Sequence, residues 1–179
     1  MLFQIFISVK NCPKCLTVPV KSINYHVKLK LMDILIIFLA KYLIYIAIIY
    51  AIIHVFLKHE NKDKIKNVII IIGTAVLAWV ITHLLKDITA HPRPDLTNAL
   101  ISPDSVYSFP SGHATFMSAL ALSVYSFDKK DGAFIFVFAV LSGIARVLAG
   151  VHYWYDIIGG FVVGGIVAYV IILFTKNRF

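Results

Sequence analysis

The sequence predicts an all-α membrane protein, a polytopic bundle of about five transmembrane helices. Of its 179 residues, 60% are hydrophobic and 15% are charged, whereas soluble domains have about half apolar and a quarter charged residues. The apolar residues are clustered in long runs from residue 34 onward. These runs have the length of membrane-spanning helices rather than of β-barrel strands, and in lipid only those two structures satisfy the backbone.

Five apolar runs are separated by charged or proline-rich connectors. A bilayer core of about 30 Å needs about 20 residues of helix. The third run is short, and the first contains Lys41 and His54. The predicted spans are residues 34–57, 68–85, 114–127, 134–151 and 157–174. One membrane domain, residues 34–179, therefore accounts for most of the chain.

Residues 1–33 are interpreted as an N-terminal extension whose role stays open. The apolar stretch 1–9 is too short to span a membrane and lacks the basic leader of a signal peptide. An interfacial segment, a sixth inserted helix and a true start at Met32 are alternative interpretations. Cys12 and Cys15 are interpreted as an incidental pair, because no second pair completes a four-cysteine zinc site and no redox fold surrounds them.

The positive charge of the chain predicts its orientation. After the first span begins, eight Lys and Arg residues lie on the side of the first and third connectors and the C-terminus, against three on the other side. The positive-inside rule places the first group in the cytoplasm, although five lysines in residues 1–33 conflict with this. Because topology explains the formal net charge of +8, no nucleic-acid partner is expected.

Eight residues at the outward ends of the spans form a candidate anion site. Charged groups near a membrane are costly and are usually functional. Arginine matches phosphate oxygens in shape, and the start of a helix offers free N–H groups to an anion. A glycine there lets the backbone approach a ligand closely. The set, which implies a phosphate ligand, comprises Lys86, Arg93, Ser111, Gly112, His113, Arg146, His152 and Asp156.

His152 and Asp156 are predicted to act as a pair. Four residues apart, they share one face of a helix if the fifth span starts near residue 151. Asp156 would then hold one ring nitrogen of His152 as N–H and leave the other free to attack. His113 is placed to protonate a leaving oxygen, and Gly150 allows the turn that brings Arg146 toward His152.

The spacing of these residues resembles the three-part signature of the type 2 phosphatidic acid phosphatase superfamily, over about residues 34–174. The parts are Lys-x6-Arg-Pro at 86–94, Pro-Ser-Gly-His at 110–113 and Arg-x5-His-x3-Asp at 146–156; Ala145 replaces the serine that precedes the family's arginine. The resemblance implies a lipid phosphatase with a phosphohistidine intermediate and without metal or other cofactor. It implies that His152 is the nucleophile, Asp156 its orienting acid and His113 the general acid, with phosphate bound by Lys86, Arg93, Ser111, Gly112 and Arg146.

Within the superfamily, the compact size and residues 38–42 resemble bacterial undecaprenyl-diphosphate phosphatases. The resemblance implies a multi-pass protein of the bacterial plasma membrane with an outward-facing site, which recycles the carrier lipid of cell-wall synthesis. Lys41 has two interpretations, contact with substrate and snorkelling to an interface, and the second is favoured.

Two other functions are considered. A phosphatase of phosphatidylglycerophosphate or phosphatidate would use the same residues with a different lipid entrance. A non-catalytic membrane scaffold or transporter is disfavoured, because such a protein would be expected to lose His113, His152 or Asp156. His83 and His91 flank Lys86 closely enough to support the site, but helix-packing and loop roles are favoured for them. The oligomeric state stays open.

Overall fold

The computed structural model describes residues 30–58 and 64–176, and within them it contains six α-helices and no strand. The helices are α1 (Leu31–Lys41), α2 (Leu43–Lys58), α3 (Lys64–Thr89), α4 (Gly112–Tyr125), α5 (Lys129–Leu148) and α6 (Trp154–Lys176), with a 3-10 turn at Leu96–Asn98. The all-α prediction is confirmed. The interpretations of Cys12, Cys15 and residues 1–29 lie outside the described residues.

Four of the five predicted spans have the length and composition of membrane helices. α3, α5 and α6 qualify individually, and α1 and α2 qualify together as one bent span. α4, the third predicted span, has 14 residues and extends over only about 21 Å. It is nonetheless the central helix of the bundle, because it packs against α3, α5 and α6 and most of its side chains are buried.

The first predicted span is not the continuous helix expected for residues 34–57. It breaks at Tyr42, and α1 and α2 meet there at an angle of 47°. The break leaves the carbonyl oxygen of Ala40 to accept a hydrogen bond from Arg146 Nη1 at 3.3 Å. No glycine or proline marks this position, which is why the apolar pattern gave no sign of the bend.

Two glycines of α6 allow it to pack closely on α4. A Cβ atom on Gly160 would lie 2.8 Å from the Ser111 carbonyl oxygen, and one on Gly164 would collide with Ser118 and with the backbone at Thr115. The close packing also lets the backbone N–H of Ser111 donate to the Asp156 carbonyl oxygen at 3.0 Å. The start of α4 is thereby fixed against the start of α6.

Candidate active site

The structure brings the eight predicted site residues together at one end of the bundle. There α3 and α5 end and α4 and α6 begin; we call it the site end. Gly150, with a φ of 77°, makes the turn after α5 in a conformation that favours glycine.

His152 lies in the connector between α5 and α6, not on a helix. α6 begins at Trp154, so the expectation that His152 and Asp156 share a helical face is wrong, although the predicted contact is present. His152 Nδ1 lies 3.2 Å from Asp156 Oδ2, and the same oxygen accepts the backbone N–H of Tyr153 at 2.8 Å. Asp156, in the first turn of α6, therefore orients the imidazole of His152 through Nδ1. The other ring nitrogen, Nε2, takes no part in this contact.

The imidazole of His152 is neutral at physiological pH. It is 3% exposed, and burial lowers its pKa to about 4 despite the hydrogen bond to Asp156, which acts in the opposite direction. The charges of Arg146 and Arg93 lower the pKa further. A neutral imidazole with Nδ1–H directed at a carboxylate carries its lone pair on Nε2.

Lys86 is held by the connector that precedes α4, and Arg93 is held by that connector and by the one that precedes α6. Lys86 Nζ donates to Ser105 Oγ at 3.1 Å and to the Tyr107 carbonyl oxygen at 2.9 Å. Arg93 donates to the carbonyl oxygens of Ser105 at 2.7 Å and of Val151 at 2.6 Å. Burial, and then the charge of Arg146, lower the pKa of Arg93 from its ordinary value. Carbonyl oxygens fix the direction of the cations without neutralising them, so an anion bound between them would relieve their mutual repulsion.

Arg146 connects the remaining site residues. Its Nη2 donates to Asp104 Oδ2 at 2.6 Å, and its Nη1 lies 3.3 Å from His113 Nε2. Asp104 Oδ2 also lies 3.5 Å from His113 Nδ1. Burial acts to raise the pKa of Asp104, but the charges of Arg146 and His113 and the hydrogen bond from Arg146 hold it below its ordinary value. Asp104 is therefore an ionised partner of both groups.

Ser111 and Gly112 form the start of α4, as predicted. Ser111 is buried at the N-cap position, yet its hydroxyl caps no backbone N–H and has no hydrogen-bond partner among the described residues. Gly112 lines a cavity of about 260 Å³ together with Lys86, His113 and His152. A Cβ atom on Gly112 would meet only Trp79, at an ordinary 3.6 Å, so packing within the protein does not require glycine there.

Three residues of the long connector were not singled out from the sequence. Asp104 binds Arg146, Ser105 binds both Lys86 and Arg93, and the Ser108 hydroxyl lies 3.4 Å from Asp156 Oδ1. Their short polar side chains look like ordinary loop residues in the sequence, and only the path of the chain shows their role.

The structure also gives the positions of His83, His91 and Ala145. His83 lines the 260 Å³ cavity. His91 Nδ1 lies 3.1 Å from the Ser108 hydroxyl, within the connector, as the loop interpretation expects. Ala145 is buried in an apolar cluster with Ala40, Ile101 and Val151, so the position of the family's serine lies among apolar side chains.

Among the described residues, the group of potential metal ligands lies at the other end of the bundle. Ligand atoms of His54, Asp128 and Asp131 lie within 4.8 Å of one another, and Asp131 is separated from Arg146 by roughly 20 Å of α5. His54 and Asp131 already form an ion pair at 2.8 Å. The metal-free mechanism stays a prediction.

The chain is similar to known proteins in sequence and in fold. The model of the PAP2 superfamily matches residues 67–179. Undecaprenyl-diphosphatase BcrC of Bacillus subtilis is 29% identical over 64% of this chain and 61% of its own length. An undecaprenyl-diphosphatase of Sulfolobus acidocaldarius is 30% identical over 83% of this chain and 73% of its own length. The match thus spans about three fifths of the length of the first of these relatives.

The fold has a counterpart among solved structures. The crystal structure of a transmembrane PAP2-type phosphatidylglycerolphosphate phosphatase from Bacillus subtilis superposes with a TM-score of 0.63, at 23% identity over 84% of this chain and 80% of that one. The family match covers well over half of the chain and includes every residue of the three motifs. The chain belongs to the PAP2 superfamily, the family that its motifs resemble.

Proposed function

We propose that this protein is an integral-membrane lipid phosphatase that hydrolyses undecaprenyl diphosphate to undecaprenyl phosphate through a phosphohistidine at His152. The observation that carries the proposal is the environment of His152. Its Nδ1 is held by the fully buried Asp156, and its ring lines a cavity that it shares with Lys86 and His113. An oriented neutral imidazole beside fixed cations is suited to attack on phosphorus.

The reaction follows from this arrangement in two steps. His152 Nε2 attacks the terminal phosphorus; a P–N bond forms, and the bond from phosphorus to the bridging oxygen breaks with its electrons on oxygen. His113 acts as the imidazolium, a form that Asp104 and the bound diphosphate favour; it gives its proton to that oxygen, which leaves as the lipid monophosphate. Water then attacks the phosphorus of the phosphohistidine and gives a proton to His113. The P–N bond breaks, inorganic phosphate leaves, and both histidines are regenerated. Lys86 and Arg93 stabilise the charge on the transferred group, and Arg146, which lies beside His113, stabilises the charge that develops at the bridging oxygen.

The start of α4 supplies the remaining contacts with the phosphate. Ser111 has a buried hydroxyl without a partner among the described residues, and Gly112 leaves open the wall of the cavity at the N-terminus of α4. Free N–H groups and the positive end of the helix dipole favour an anion there. The absence of a Cβ on Gly112 leaves room for the phosphate oxygens.

The choice of lipid is supported by the relatives, two of which are named undecaprenyl-diphosphatases. The distribution of lysine and arginine supports a site that faces the outside of a bacterial plasma membrane. The carrier lipid of cell-wall synthesis is recycled at that face. We therefore assign the protein to carrier-lipid recycling.

A substrate panel tests the proposal. Purified full-length protein is offered undecaprenyl diphosphate and, separately, phosphatidylglycerol phosphate and phosphatidate, and release of inorganic phosphate is measured. We expect the highest kcat/KM for the polyprenyl diphosphate. Phosphate release from the glycerolipids alone would replace the proposed substrate with the rival class, and release from none would reject the enzymatic assignment.

The low pKa of His152 predicts a pH-dependent stability. Between the ordinary pKa of 6.5 and a folded-state pKa of about 4, protonation favours the unfolded chain, so stability is lost as the pH falls through this window. The loss is on the order of 3 kcal/mol, which corresponds to about 6–12 °C in Tm. Thermal unfolding in detergent should show the Tm of the wild type, relative to His152→Gln, falling by this amount from pH 7 to pH 4.5. A constant difference would mean that His152 has an ordinary pKa.

The role of Gly112 predicts a loss of activity without a loss of stability. In Gly112→Ala the new methyl group projects toward the cavity and meets Trp79 at an ordinary distance, so we expect the Tm to stay within about 2 °C while kcat/KM falls at least about tenfold. Gly164→Ala is the contrasting variant, because its methyl group collides with α4 and should destabilise the fold by about 1–3 kcal/mol. Full activity of Gly112→Ala would mean that the phosphate does not bind at the start of α4.

A further inference from the structure

A second cavity lies at the site end, beside the one that contains His152. It measures about 300 Å³, and its lining includes Lys41, Tyr42, Tyr45 and Arg146. Asp104 and His113 line both cavities, so they stand between the two. The nucleophile lines the first cavity and not the second. A group in the second cavity would therefore lie across His113 from the attacked phosphorus.

This position matches that of a leaving group. A general acid must reach the oxygen that bridges the transferred phosphorus and the departing group, and His113 is the histidine shared by the two cavities. The phosphoryl group under attack would occupy the first cavity, and the departing half of the substrate would begin in the second. The chemistry of the second cavity then indicates what departs.

The second cavity is equipped for an anion. Arg146 is 1% exposed and its Nε has no hydrogen-bond partner among the described residues. Lys41, by contrast, is exposed, and within the part of the chain that the structure describes no carboxylate or hydrogen-bond acceptor contacts its ammonium group. Tyr42 and Tyr45 add two phenolic side chains, and a phenolic hydroxyl can donate a hydrogen bond to a phosphate oxygen.

The bend in the first span places Lys41 there. α1 ends at Lys41, and the break at Tyr42 allows the Ala40 carbonyl oxygen to bind Arg146. The residue before Lys41 is thereby tied to the arginine of the site.

Resting on the proposed function, we propose that Lys41, with Arg146, binds the second phosphate of a diphosphate substrate, the one that leaves with the lipid. Lys41 is then a specificity-determining residue that favours lipid diphosphates over lipid monophosphates, whose leaving group is a neutral alcohol. Asp104 neutralises Arg146 in the ligand-free protein. Because its side chain is 59% exposed, it is able to turn outward when the diphosphate takes its place.

Two substrates with the same tail test this inference. Full-length protein in detergent is assayed with farnesyl diphosphate and with farnesyl phosphate. In Lys41→Met, kcat/KM for the diphosphate should fall about tenfold or more, the cost of one charge-assisted hydrogen bond, while kcat/KM for the monophosphate stays within about threefold. Lys41→Arg should restore most of the loss. Lys130→Met is the matched control, because Lys130 is exposed at the opposite end of α5.

The outcomes separate the inference from the function on which it rests. Equal losses of kcat/KM on both substrates would mean that Lys41 supports the fold or binds a phospholipid headgroup. No loss on either substrate would mean that Lys41 only snorkels to the interface. Both results overturn the inference and leave the proposed phosphatase activity intact. A wild type that hydrolyses only the monophosphate, or neither substrate, would reject the proposed function together with the inference.

Discussion

Replacing His152 by alanine should lower kcat for the lipid diphosphate by about 10⁴-fold or more while the protein still folds and inserts. The expected loss is large because His152 is the histidine at the site end whose Nδ1 is held by a buried carboxylate, at 3.2 Å, which directs Nε2 to the attack. Residual catalysis would come from the cations and the helix start alone, as when the nucleophile of a triad is removed. The measurement is phosphate release under single-turnover and steady-state conditions.

The phosphoenzyme provides a second measurement of the same change. Wild-type protein mixed with terminally labelled diphosphate and quenched in alkali should retain label, because a P–N bond survives alkali and is cleaved by acid. His152→Ala should retain none. Asp156→Asn serves as the matched variant: it keeps the nucleophile but loses the carboxylate that orients Nδ1, so we expect labelled protein formed slowly. Label retained in His152→Ala would transfer the nucleophile role to another residue.

The helical architecture was predictable because the bilayer imposes it. In lipid, an apolar run of nearly 20 residues satisfies its backbone hydrogen bonds by forming a helix, and α3, α5 and α6 are such helices. The bend at Tyr42 was not predictable by this reasoning. It involves a contact between the Ala40 carbonyl and an arginine 106 positions away, and hydropathy carries no information about such a partner.

The charged members of the site were predictable from where they stand. Lys86, Arg93 and Arg146 are costly beside a membrane, and the order of the spans places all three at one end. The contact between His152 and Asp156 was predicted for a wrong reason, since α6 starts two residues after His152. Asp156 instead accepts the backbone N–H of Tyr153 in the turn that begins α6, and that turn brings the two side chains together.

Asp104 shows where sequence reasoning stops. It lies in a connector of 22 residues between α3 and α4, and nothing in its neighbours Pro103 and Ser105 distinguishes it from a turn residue. Its partners, His113 and Arg146, belong to two different helices. Only the folded path of the connector shows that a carboxylate occupies the position between the two cavities.

Replacing His113 by alanine should lower steady-state kcat by about 10²–10⁴-fold, the usual contribution of a general acid–base group. The loss should depend on the leaving group in the first step and not in the second. With farnesyl phosphate, formation of the phosphohistidine itself becomes slow, because the departing alkoxide lacks a proton donor. With p-nitrophenyl phosphate the departing phenolate needs no proton, so the first step survives and hydrolysis of the phosphohistidine becomes limiting.

A burst experiment therefore identifies the role of His113. His113→Ala mixed with p-nitrophenyl phosphate should release about one nitrophenolate per active site rapidly and then turn over slowly, with labelled phosphate accumulating on His152. With farnesyl phosphate the same variant should show neither burst nor accumulation.

Because Arg146 Nη1 lies 3.3 Å from His113 Nε2, a histidine that merely positioned this arginine would behave differently: its loss would weaken phosphate binding for both substrates, raise KM and produce no burst. His113→Gln keeps a polar partner for Arg146 but transfers no proton. If His113 carries the proton, this variant should show the same burst as the alanine variant. If His113 only positions Arg146, the variant should recover steady-state turnover.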